Sequence, residues 1–450
     1  MIISGKELIF NTFRKIKTNR VPWVPYTGVH IGQFNNISAE ELLKSEEHLF
    51  NNLIQAHKAY SPDGMPVIFD LQLEAEILGC KLFWDEKAPP SILSHPYSET
   101  KQLNRIIPPK SEGRIPIVLN VMERLKKEIG NTTALYGLIC GPLTLSSHLR
   151  GMELFIDMYE DEQFINQIID YSTHVFLTMV DYYVESGMDV IAAVDPIVSQ
   201  ISPQTFEQFL LKPYQNIFKY IKMKNVLSAF FVCGDASNNL DLMCKTNPDC
   251  VSIDENINIA DAKKLTDKYN IVISGNIPLT TTLLLGTQHD NQKYAIDLVE
   301  KFGNGNFILA PGCDLPYDTP HENIIGIGQA VQNVQATSLY LKNYKKSAVK
   351  NVIELPNYEN LEKPLIEVFT IDSNTCAACG YMKMAAMEML KEFDEKIIIV
   401  ERKITELDNI YRIEKLGIKK LPTITINGIP KFISIIPNRI ELKKEIAQFL

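Results

Sequence analysis

Short apolar runs of β type recur through the first three quarters of the chain, each followed by a stretch whose apolar residues return at helical spacing. The runs are residues 21–26 (VPWVPY), 65–71 (MPVIFDL), 134–140 (ALYGLIC), 189–195 (DVIAAVD), 227–233 (LSAFFVC), 250–255 (CVSIDE), 271–276 (IVISGN) and 306–311 (NFILAP). Segments such as FEQFLLKPYQNIFKYIKMK and YAIDLVEKF carry the intervening helical period. Eight such alternations predict an α/β fold of the (β/α)8 or TIM-barrel type rather than an open doubly wound sheet. A barrel would bring the strand-end residues Asp70, Asp195, Cys233, Asp254, Asn276 and Cys313 to one rim, the face on which such enzymes work.

The barrel pattern is predicted to span residues 1–342. Residues 343–363 are polar with weak periodicity and read as a linker, and from 364 to 450 a second pattern begins. It runs LIEVFTI as strand, TCAACGYMKMAAMEMLKEF as a helix opened by Cys376 and Cys379, KIIIVERKI as strand, KLPTITING and IPKFISII as a β-pair, and RIELKKEIAQFL as a last helix. A helix N-terminus favours a thiolate at Cys376, and Cys379 one turn on is placed to resolve a mixed disulfide; a small metal site or two packing cysteines is the plainer alternative. Strand, Cys-x-x-Cys at a helix start and a proline opening a later strand together resemble the thioredoxin/glutaredoxin fold. That resemblance implies a cis Pro422 lining the groove in which Cys376 meets its target.

Composition narrows the class. With 45% hydrophobic and 22% charged residues and a net charge of −9, the chain reads as globular, and its acidity attracts neither nucleic acid nor an anionic membrane surface. No apolar run reaches membrane-spanning length and the first residues lack a signal-peptide pattern, so the expected address is the cytoplasm. Thiols stay reduced there. Eight cysteines then point to metal binding, catalysis or burial rather than to a disulfide scaffold.

Cys233 and Cys313 each end an apolar run beside a glycine, in FFVCGD and APGCD. Two thiolates from different strands suit zinc, and a catalytic zinc keeps one position open for a substrate whose thiol it makes acidic yet nucleophilic. The bland alternative for either is a small buried hydrophobe. Asp70 is a candidate charge or hydrogen-bond anchor for substrate, against a helix N-cap; Glu76 lies about a turn further on. Asp195 and Asp254 end strands and read as rim groups or loop caps, while His321 and Glu322 read as structural.

The segments FDLQLEAEILGC, LYGLICGPLTLSSHLRG, AAVDPIVSQISPQTFEQFLLKPY, FFVCGD, SIDENINIADAKK, ISGNIPLTTTLLLGT and APGCDLPYDTPHEN resemble the uroporphyrinogen decarboxylase superfamily, which joins haem-pathway decarboxylases to corrinoid-dependent methyltransferases. The decarboxylases carry an arginine-rich loop after the first strand; the equivalent PWVPYTGVHIGQF has no arginine to hold a polycarboxylate. The methyltransferases carry His-x-Cys and a later Cys, which match Phe231-Val232-Cys233 and Cys313, so two of three metal ligands carry over and Phe231 stands where the histidine would be. Asp235, Asp195 and His30 are the candidates for the third. The resemblance implies a zinc-dependent methyltransferase using a methylcobalamin-bearing corrinoid protein as partner and a small thiol as acceptor, with Asp70, Asp195 and His30 toward the substrate. Two other readings are a thiol–disulfide redox protein acting on the Cys233/Cys313 pair, and a decarboxylase of a smaller carboxylated ring compound working through Asp70.

Overall fold

The computed structural model describes residues 3–303, 305–345, 353–371, 373 and 377–450. The chain divides into two compact units, Met1–Val198 with Ser202–Tyr344, and Lys345–Leu450 with Ser199–Ile201.

The larger unit is built on seven parallel strands: β1 (Gly64–Pro66), β2 (Ala134–Cys140), β3 (Val190–Val194), β4 (Leu227–Val232), β5 (Cys250–Ile253), β6 (Val272–Ile277) and β7 (Phe307–Pro311), hydrogen-bonded in that order. Sequential parallel neighbours with helical crossovers make a curled sheet of the TIM-barrel type. The predicted first strand is reduced to a single bridge, Trp23 to Leu309. Pro22 and Pro25 explain why: neither has an amide hydrogen to donate, so the ladder cannot lengthen. The segment still spans the seam, because Leu309 N donates to Pro22 O, Val24 N to Leu309 O, and Asp63 N to Trp23 O.

Strands β2 to β7 are buried almost throughout, as expected of parallel strands covered by helices on their outer face. One covering helix shows how sequence makes that cover. In Leu211–Met223 the buried side chains are Tyr214, Ile217, Phe218 and Ile221, spaced three and four apart along one stripe. Burying each contributes about 1.5–3 kcal/mol, so a charge at Phe218 would detach the helix.

The smaller unit is a four-stranded sheet of β8 (Leu365–Thr370), β9 (Ile398–Lys403), β10 (Thr423–Ile426) and β11 (Ile429–Ile433), in the order β9-β8-β10-β11. β8 and β9 are parallel; the other pairs are antiparallel. Helices Ala377–Phe393 and Arg439–Ala447 bring Met382, Ala386, Met389, Leu442 and Ile446 against Ile366, Val368, Ile424 and Ile426. The helix Leu407–Leu416 brings Ile410, Ile413 and Leu416 into a second cluster with Phe369, Ile404, Ile418 and Leu421. The Leu421–Pro422 peptide is cis. Part of the predicted linker packs on this unit: Tyr358 donates to the buried Glu367 at 2.6 Å, and a Cβ on Gly428 would come within 2.7 Å of its ring.

Candidate active site

Three strand ends converge at the C-terminal rim of the barrel, and glycines let them approach. Cys233-Gly234-Asp235 follows β4, Asp254-Glu255 follows β5, and Gly312-Cys313-Asp314 follows β7. A Cβ on Gly312 would sit 2.6 Å from Glu255 N, so the β5 and β7 ends touch only because none is there. The first loop joins them at Gly28, whose φ is +48° and where a Cβ would meet Asp314 Cβ at 3.0 Å.

The structure joins the two sulfurs of Cys233 and Cys313, with their Cα atoms 5.8 Å apart and a sequence separation of 80. Both residues are half-buried and pack against the interior cluster that contains Tyr26, Phe69 and Phe231. Those rings stack edge and tilt, with Phe231 centred 4.7 Å from Tyr26 and 5.8 Å from Phe69. Tyr26 keeps its hydroxyl against Ser252 and Ser274, and burial pushes it up to about 12, so it stays neutral. The sulfurs thus sit over an aromatic interior.

Residues 4–334 match the family described as Uroporphyrinogen decarboxylase (URO-D). The chain belongs to the uroporphyrinogen decarboxylase family. Within it, the chain is 26% identical over 338 residues to the methylcobamide:CoM methyltransferase MtbA of Methanosarcina acetivorans, covering 73% of this chain and 97% of that one. It is 25% identical over 279 residues to the uroporphyrinogen decarboxylase of Nostoc punctiforme, covering 60% and 78%. Among solved structures, a methyltransferase from Methanosarcina mazei superposes with a TM-score of 0.68 at 23% identity, covering 74% of this chain and 99% of that one. The relatives include methyltransferases and decarboxylases, so the chain is an enzyme of this family; the family match lies within the larger unit.

The zinc that the family's methyltransferases imply finds no ligand set here. Side chains alternate along a strand, so Phe231 and Cys233 face the same way, and the position of the missing histidine is filled by a phenyl ring with 0% exposure. Each proposed replacement is already engaged. His30, with 0% exposure, places Nδ1 3.0 Å from Tyr317 O and Nε2 2.7 Å from the Tyr60 hydroxyl, itself 2.5 Å from His321 Nδ1. A carbonyl only accepts, so His30 Nδ1 carries the hydrogen. Burial holds this histidine neutral, down to about 4. Its Nε2 therefore accepts from Tyr60, which leaves no lone pair for metal or substrate. His321 then donates to the Tyr60 oxygen, which makes His30 and His321 parts of one packed chain.

Asp195 is likewise occupied. It accepts from Leu143 N and Thr144 N at 2.9 Å, from Thr144 Oγ1 at 2.6 Å and from Tyr214 Oη. It caps the helix Pro142–Arg150, whose own N-cap is the side-chain-free Gly141, and burial raises it to about 6. The loop-cap alternative for Asp195 accounts for all four of these bonds. Asp235 folds back on Ser237, accepting from its amide at 3.1 Å and from its hydroxyl at 2.5 Å. Among the described residues no group of three or more His, Cys, Asp or Glu is arranged to hold a metal ion. The Cys233/Cys313 sulfurs bond to each other instead.

Asp70 lies in a separate buried cluster. Its side chain, 0% exposed, pairs with Arg114 Nη1, while Arg114 Nε donates to Glu76 at 2.8 Å. The other Asp70 oxygen accepts from Gln72 N at 2.9 Å. Both sequence alternatives for Asp70 are therefore modified: it turns the chain toward the helix Leu73–Ile77 and clamps an arginine from a distant loop. Glu74 beside it is 1% exposed with Oε2 unpartnered, and burial pushes it up to about 8.

Two rim carboxyls, Asp314 and Glu255, went unnoticed as chemistry in the sequence, whereas Asp254 was read there as a rim group or loop cap. Burial raises Asp314 to about 7, and raises Glu255 to about 8 with the help of neighbouring Asp254, itself raised by burial. Asp314 Oδ1 lies 3.3 Å from Cys313 Sγ. Its position directly after Cys313 was the available signal; nothing local marked Arg114. In the smaller unit, Cys379 is fully buried and receives the Ile371 amide at 3.4 Å, while Cys376 lies outside the described residues. No helix among the described residues is long and apolar enough to cross a membrane.

Proposed function

We propose that the barrel transfers a methyl group to a thiol acceptor from a corrinoid-bearing partner protein, without a zinc ion at Cys233 and Cys313. The observation that carries this reading is the meeting of those two cysteines at the rim over an aromatic interior. The substrate class comes from relatives such as MtbA, which is named for coenzyme M, and from the absence of arginine in residues 22–34. An apolar floor suits the reaction because a poorly hydrated thiolate attacks a neutral methyl carbon with less solvent to shed. The acceptor's electron pair forms the new sulfur–carbon bond, and the pair of the broken bond stays with the carrier. Asp70 acts through Arg114, bracing the loop, rather than on the substrate. The dithiol is the working form and the disulfide the resting one.

A second reading is favoured by the disulfide itself: the smaller unit is a thioredoxin-like partner that opens the barrel pair through Cys376 and Cys379. The strand order β9-β8-β10-β11, with Cys379 in the first turn of its helix and Pro422 immediately before β10, supports it.

The test uses reduced full-length protein, methylcobalamin and 2-mercaptoethanesulfonate, with thioether formation read by mass spectrometry and uroporphyrinogen decarboxylation run alongside. Thioether formation lost in Cys233→Ala and Cys313→Ala variants is expected. Release of carbon dioxide from the porphyrinogen, with no thioether, would replace the proposal by the decarboxylase reading. For the second reading, a Cys379→Ser variant should accumulate a disulfide between Cys376 and a barrel cysteine; failure to do so removes it.

A further inference from the structure

The two barrel sulfurs are not equivalent. Cys313 Sγ stands 3.3 Å from Asp314 Oδ1, a separation that calls for a hydrogen between them. In the joined pair neither sulfur carries one, so the hydrogen must come from a protonated Asp314; in the open pair Cys313 S–H donates to the carboxylate. Gly28 helps to hold that carboxyl in place, since the first loop reaches Asp314 Cβ at the distance only a glycine allows. Cys233 is followed by Gly234, which offers no side chain at all. Both cysteines keep partial exposure, so a thiol can reach either.

We propose that the barrel pair exchanges with thiols in one fixed direction, with Cys233 as the sulfur attacked and Cys313 as the sulfur that leaves, served by Asp314 as its proton donor. An incoming thiolate forms a bond to Cys233 Sγ, and the bond between Cys233 and Cys313 breaks with its electron pair on Cys313. That sulfur takes the Asp314 proton, giving a mixed disulfide on Cys233, a Cys313 thiol and an Asp314 carboxylate. In reverse, the carboxylate removes the Cys313 proton and Cys313 expels the thiol from Cys233. The incoming thiol is oxidised to the mixed disulfide as Cys313 is reduced to the thiol, and the reverse step returns both, so the electrons balance with the thiol as the sole co-reactant. The proposal rests on the redox reading of this pair and not on methyl transfer. A small monothiol and the chain's own Cys376/Cys379 dithiol share the required chemistry.

The experiment uses full-length protein, oxidised with diamide, in two arms. In the first, Cys376→Ser/Cys379→Ser protein is opened with 2-mercaptoethanesulfonate, acid-quenched, alkylated and mapped by peptide mass spectrometry. In the second, Cys379→Ser protein is reduced briefly and its Cys376 cross-link is mapped. At least tenfold more adduct on Cys233 than on Cys313 is expected; adduct on Cys313, or an even split, overturns the polarity. A cross-link from Cys376 names the internal dithiol as a source, and an adduct in the first arm alone names the small thiol. Asp314→Asn should slow opening at pH 6 at least tenfold without moving the adduct, and an unchanged rate overturns the role of Asp314. Should Asp314→Asn fail to fold, the adduct map on native Asp314 still decides the polarity. If oxidation removes no hydrogens from the intact mass, the redox reading itself falls, a result distinct from a wrong polarity.

Discussion

Opening the barrel disulfide should loosen the barrel measurably. With a sequence separation of 80 between Cys233 and Cys313, the chain-entropy relation gives about 4.5 kcal/mol of stabilisation at 25 °C, an upper bound because residual structure in the denatured chain reduces it. A urea slope of about 3 kcal/mol/M converts this to a midpoint difference of at most about 1.5 M. The assay is tryptophan fluorescence. Both tryptophans of the chain, Trp23 and Trp84, lie in the larger unit, so the smaller unit stays silent. Oxidised protein should unfold at the higher urea concentration, reductant should remove the difference, and a Cys233→Ala/Cys313→Ala variant should ignore reductant. Coincident midpoints for oxidised and reduced protein, with two thiols titrated in both, would refute the pairing on which the site is built.

Three further outcomes follow from the buried polar groups. Glu74 has a folded-state value of about 8 against an ordinary 4.5, so the folded state holds the proton more tightly and its stability falls as pH rises from about 4.5 to 8; the difference of 8 − 4.5 units corresponds to at most ~5 kcal/mol, and Glu74→Gln should flatten that slope in urea titrations at pH 5 and pH 9. Arg114→Met strands the Asp70 carboxylate and should cost about 3–5 kcal/mol, part of which Asp70→Asn in the same chain should restore. Tyr60→Phe removes the hydroxyl between His30 and His321 and should cost about 1–3 kcal/mol, with NMR of the ring nitrogens showing His30 still protonated at Nδ1; retention of the wild-type thermal midpoint would contradict the chain of donors from His321 through Tyr60 to His30.

The active-site carboxyls also change what pH does to the reaction. Asp314 and Glu255 are raised into the range around neutrality, so each holds its proton near pH 6 and releases it on the alkaline side. As those two carboxyls lose their protons between pH 6 and pH 9 the rim gains negative charge, so an anionic acceptor such as a sulfonated thiol should be held better at the lower pH.

Much of the fold was legible because strand and helix periods are local. The predicted run 134–140 coincides with the strand Ala134–Cys140, and 227–233 differs from Leu227–Val232 by one residue. The first predicted run failed as a strand for a reason its own letters contain, since Pro22 and Pro25 cannot feed a ladder. The cysteine pair was legible as two sulfurs on one rim, because parallel strands of a barrel all end on the same side. What those residues do was not. Whether His30 is a ligand or a packed imidazole depends on Tyr60 and Tyr317, 30 and 287 residues away; whether Asp70 is free depends on Arg114, 44 residues on; whether Phe231 leaves room for a metal depends on Tyr26 and Phe69. The chain's pattern determined which residues reach the rim. Only the folded structure decided which of them keep an unused lone pair or an open sulfur, because hydrogen-bond saturation and burial are set by neighbours that sequence order does not bring together.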